Sequence, residues 1–128
     1  REKLTSEKLR RDSFQVCILW RLIQEAPLAA GQISPDLAKL QVLARSIETR
    51  CTGTEFEPAL EWCGSVLAAA EGLVVGVDRN ASLHLLGHAA LSLHQVFHPE
   101  KSAADQLSEI DATVAIIRAR QQAQALAS

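Results

Sequence analysis

A chain of 128 residues is the size of one domain and can bury a core without disulfide or metal staples. Apolar residues make up 48% and charged residues 22%, a balance that excludes wholesale disorder. The net charge of −2 and pI near 6.1 give no global pull toward nucleic acid or an anionic membrane.

Helix formers dominate, Tyr and Met are absent, and the aromatics are Phe14, Trp20, Phe56, Trp62 and Phe97. This composition predicts an all-α fold. Basic residues cluster at the start (Arg1, Lys3, Lys8, Arg10, Arg11), with Glu2 and Glu7 between them, and read as a solvated helix start. A first helix is predicted over 6–25, capped by Thr5 or Ser6 and ended by Pro27, with a loop over 28–33 around Gly31. This helix has two apolar faces. Leu9, Val16, Leu19, Trp20 and Ile23 form one, and Phe14, Ile18 and Leu22 form another, almost opposite. A helix in a small bundle normally buries one face, so the second face points to a central position or to contact with another chain.

The second helix is predicted over 35–50. Ser34 is its cap, Pro35 takes the first turn, and Leu37, Leu40, Ala44, Ile47 and Cys51 line its core face. The third covers 55–75, capped by Thr54, with a small-residue row of Gly64, Ala68, Gly72 and Gly76; a strand over 72–77 is the alternative. Residues 62–77 are the most apolar run. They are short for a membrane span and carry Glu71, so the expectation is a buried helix. After a turn over 77–80, a fourth helix covers 81–97, with Leu85, Leu86, Ala89, Leu93, Val96 and Phe97 as its core face. A fifth, over 102–125, carries a seam of Leu107, Ile110, Val114 and Ile117. Short connections predict a single-domain bundle of four to five mostly antiparallel helices, with 1–5 and 122–128 frayed.

All four histidines lie on the fourth helix. His84/His88 and His94/His98 are each spaced i,i+4, close enough to share a metal. No carboxylate sits between or beside either pair, and the histidine face lies opposite the expected core face, so a solvent-facing row is the expectation. Cys17, Cys51 and Cys63 fall on or near apolar stripes without zinc or disulfide spacing, pointing to buried free thiols and a reducing, cytoplasmic compartment. Glu57 and Glu61 read as a wet face, and no nucleophile elbow, phosphate loop or dinucleotide fingerprint occurs.

These readings lead to a non-enzymatic protein–protein interaction module: a small cytoplasmic helical regulator, adaptor or inhibitor acting through an apolar helical surface as a homodimer. The candidate partner-binding residues are Phe14, Ile18 and Leu22, with Arg11 and Arg21 at the rim. No cofactor, membrane or nucleic acid is expected. The alternatives are a metal- or ligand-binding bundle using the histidines of the fourth helix, and a DNA-binding regulator using Lys39, Arg45 and Arg50 on the second, a face interrupted by Asp36 and Glu48.

Overall fold

The computed structural model describes residues 2–26 and 34–127. The described residues form five α-helices: α1 (Glu2–Glu25), α2 (Pro35–Cys51), α3 (Pro58–Val75), α4 (Arg79–Phe97) and α5 (Ala103–Ala127). No strand occurs among the described residues. The expected Pro27 stop and the 28–33 loop lie outside them.

Helix ends follow local chemistry. The Ser34 hydroxyl accepts from the Leu37 amide (3.4 Å), and Pro35 follows it at a position where no amide bond is lost. Before α3, the Glu57 carboxylate accepts from the Gly53 amide (3.1 Å) and the Thr54 hydroxyl from the Phe56 amide (3.1 Å). These bonds hold a turn that delays the helix to Pro58, later than the expected 55. α3 stays helical through Val75. Gly76 then takes φ 83°, a left-handed cap open to glycine, and its amide donates to Gly72. The strand alternative over 72–77 is therefore not what forms. Asp78 caps α4 through the Ala81 amide (3.2 Å), and Ser102 caps α5 through the Asp105 amide (3.1 Å).

α1 packs against α2 and α4, and α3 packs against the same two helices, so the first four helices close a ring. α1 and α4 are antiparallel. Arg10 donates to the Phe97 carbonyl (2.8 Å), Cys17 to Ala90 (3.3 Å), Trp20 to Leu83 (3.2 Å) and Arg79 to Ile23 (3.2 Å). The ring encloses one core that includes Leu9, Val16, Ile23, Leu40, Ile47, Val66, Leu86 and Leu93. Burying each such side chain stabilises by about 1.5–3 kcal/mol.

α5 lies outside the ring along α1 and runs parallel to it. Arg21 pairs with Asp111 (2.8 Å) and Arg118 with Glu25 (2.5 Å), an offset of about ninety residues at both places. Ile110 and Val114 are buried, and Leu107 and Ile117 are half-buried.

Candidate interaction surfaces

The stripe of α1 is not an outer surface in this fold. Ile18 is 1% exposed, and Phe14 and Leu22 are half-buried. The helical wheel explains why. Phe14, Ile18, Arg21 and Glu25 recur at spacings of four, three and four, so the ion-pairing Arg21 and Glu25 continue the stripe that α5 covers. Of the expected rim residues, Arg11 is exposed, whereas Arg21 is engaged by Asp111 and lies 5.4 Å from the centre of the Trp20 ring. α1 is thus the central helix of the molecule.

α4 differs from expectation by a rotation. Of the expected core face, Leu86, Ala89, Leu93 and Phe97 are buried and Val96 is half-buried, but Leu83, Gly87, Ala90 and His94 are buried beside them and Leu85 is 59% exposed. At 100° per residue, His84/His88 and His94/His98 occupy adjacent arcs, and the boundary of the core passes between them. His84 and His88 are exposed, with the His88 ring edge-on to Trp62 at 5.7 Å. His94 is fully buried and His98 is 7% exposed, which corrects the expectation of a solvent-facing row.

The buried pair is ordered by its neighbours. The two imidazoles stack at 4.0 Å with 17° between their planes, and Phe14 lies 5.7 Å from His94. His98 Nδ1 lies 3.1 Å from the His94 carbonyl, and His94 Nδ1 lies 3.0 Å from Gln106 Nε2. A carbonyl only accepts and an amide nitrogen only donates, so His98 Nδ1 carries a proton and His94 Nδ1 accepts one. The remaining nitrogen of His94, Nε2, has no hydrogen-bond partner. Burial, then the adjacent His98, pushes His94 down to about 4, and burial also lowers His98. With both Nδ1 atoms engaged and the rings in nearly parallel planes, the pair does not present two converging lone pairs to a metal. Among the described residues, no group of three His, Cys, Asp or Glu is placed to hold a metal ion.

The thiols of Cys17, Cys51 and Cys63 are all buried and unpaired. Burial pushes Cys17 and Cys63 up to about 12 and raises Cys51, the reverse of what a nucleophile needs. In the native protein at pH 8, an aromatic disulfide reagent is expected to label none of the three within minutes and all of them in denaturant. Rapid labelling of one thiol in the folded state contradicts its burial.

Among the described residues, grooves open between helices at three places that bear on function. One of about 590 Å³ has Trp20 at its floor and His84, His88 and Leu107 on its walls. A second, about 490 Å³ between α1 and α2, exposes Val42 beside Lys8 and Lys39. The third, about 310 Å³, lies between α3 and α4 and is lined by Trp62, Ser65, Ala68, Ala69, Ser82, Leu85, His88 and Ala89. It alone has no Lys, Arg, Asp or Glu in its lining. α3 is long and apolar enough to cross a membrane by length and composition, yet only 28% of it is buried, less than expected of a core helix. Its inner face (Ala59, Cys63, Val66, Ala69, Ala70) lines the core that the ring encloses, and Val74 and Val75 are exposed.

This architecture defines the class of the protein as a single-domain all-α bundle, a four-helix ring with a fifth helix laid along its first. Compared with protein-family models, curated proteins and solved structures, the chain matches none.

Proposed function

We propose that this chain is a non-enzymatic protein–protein interaction module, a small helical regulator or adaptor of the cytoplasm, that works as a homodimer through the α3/α4 face. The observation that carries this reading is the charge-free groove between α3 and α4, with Leu85 59% exposed at its wall. Depletion of charge around exposed apolar side chains is the compositional mark of an interface core. Ala68 and Ser65 keep the groove shallow, so a helix can approach closely. Two copies related by a twofold axis would bring Leu85 of each against the small residues of the other, and a chain of net charge −2 adds little long-range repulsion. Three unpaired thiols suit a reducing compartment.

Light scattering after size exclusion tests this reading. The wild-type chain is expected to have twice its 13.9 kDa mass, and Leu85→Asp to run as a folded monomer, because an unpaired carboxylate in an interface core costs several kcal/mol. Val42→Asp, in the α1/α2 groove, is expected to leave the dimer intact. A wild-type monomer at every concentration, or a dimer that tolerates Leu85→Asp, overturns the reading.

A further inference from the structure

We propose that His94, His98 and Gln106 form a proton-sensitive clasp that holds α5 on α1 at neutral pH and releases it on mild acidification, baring the Phe14/Ile18/Leu22 stripe. The inference stands apart from the α3/α4 face and rests on where α5 is attached. Of its residues only Gln106, Ile110 and Val114 are buried, and among the other helices α5 makes its substantial contact with α1. Gln106 is the buried polar residue of that seam, and its amide meets His94 Nδ1.

That contact depends on a neutral imidazole. With the amide as placed, Nδ1 accepts from Gln106 and Nε2 holds the ring proton. A second proton would have to enter on Nδ1, where it would face the Gln106 amide hydrogens and end this bond unless the amide turned its oxygen inward. The new charge would sit at 0% exposure, 4.0 Å from the other imidazole. Charged groups act on the pair from three elements. α1 supplies Arg10, which bonds the Phe97 carbonyl and Glu100. The connector supplies Glu100 and Lys101, and α5 supplies Glu109, paired with Lys101 at 2.6 Å. Arg10 and Lys101 oppose protonation, and Glu109 favours it less strongly than Lys101 opposes it.

The sign follows from linkage. Burial holds His94 down to about 4 in the docked form, and departure of α5 opens the ring to water and moves it toward the ordinary 6.5, so the released form binds more protons between those values. The contribution of His94 to docking is fully present above about pH 6.5 and is lost as pH falls toward 4. Between pH 7 and 5 the docking equilibrium drops by up to roughly 20-fold.

Amide exchange by nuclear magnetic resonance on the full chain tests the clasp. After correction for intrinsic rates, protection at Ile110 and Val114 is expected to fall by up to roughly 20-fold from pH 7 to pH 5, while Val66 and Leu40 hold theirs. In His94→Gln/His98→Gln the fall is expected to disappear. An equal fall in that variant would place the response in Glu100, Glu109 or Asp111 and overturn the proposal, as would α5 protection that tracks the ring. Should the double variant not fold, the wild-type His94 Cε1 signal decides. A midpoint well below 6.5 supports the clasp, and a midpoint near 6.5 overturns it.

Discussion

An Ile18→Asp chain is expected to lose about 4 kcal/mol of folding stability or more, a large part of what a domain of this size has. Ile18 is 1% exposed between the ring and α5, with no cation placed to meet a carboxylate there: Arg21 is already committed to Asp111. The new acid must either be buried charged or take up a proton, and both cost free energy. The loss of the isoleucine side chain adds the transfer free energy of its buried methyl groups. Urea unfolding followed by far-ultraviolet circular dichroism measures the loss. Arg11→Ala, one exposed position on the same helix, is the control and is expected to stay within about 0.5 kcal/mol. A stable, cooperatively folded Ile18→Asp protein would mean that the stripe is open and that α5 does not lie along α1.

Gly87→Ala is expected to destabilise although it improves helix propensity. Gly87 sits in the middle of α4, where alanine alone would gain about 1 kcal/mol. A Cβ at this position would overlap the Trp20 indole, which is tethered by its bond to the Leu83 carbonyl one turn earlier on the same helix. Moving the ring strains the α1–α4 seam and strands the indole N–H, so overpacking and a lost hydrogen bond together outweigh the gain. The net loss is about 2 kcal/mol. Gly64, also within a helix, has open space where its Cβ would be, and Gly64→Ala is expected to gain about 1 kcal/mol. The opposite signs at the two glycines are the result to check by chemical denaturation, at a concentration low enough to keep any self-association constant.

The helix order could be read from local signals: Ser34 and Pro35 before α2, Gly76 after α3, and the polar turn at Asp78. What local pattern could not give is the rotation of α4. Leu85, Leu86, Ala89, Leu93, Val96 and Phe97 make an acceptable apolar face, and so do Leu83, Leu86, Ala90, Leu93 and Phe97, which alternate three and four apart and share three residues with the first. The second face wins because Gly87 lets Trp20 close in and because His94 finds a partner in Gln106. Gln106 precedes Ile110, the first buried apolar residue of α5, by four residues. A polar residue continuing that seam, with a histidine on the neighbouring helix, was the available signal for a buried pair. α1 poses the same problem at larger scale. Its two apolar faces left a central position and an external partner equally open, and only the return of α5 across about ninety residues covers the second face. Leu85, by contrast, is displaced outward by the same rotation that brings His94 in, and so the α3/α4 face could not be found from the expected core.

The parallel alignment of α5 with α1 also sets an order of events during synthesis. Arg21 and Glu25 leave the ribosome about ninety residues before Asp111 and Arg118. At 5–20 residues per second, that gap lasts roughly 5–20 seconds. Through this interval the ring can close through its neighbouring helices, while Phe14, Ile18 and Leu22 face water with no cover of their own. A nascent chain paused before α5 therefore offers chaperones, or another copy on the same message, the one apolar stripe that the finished protein hides.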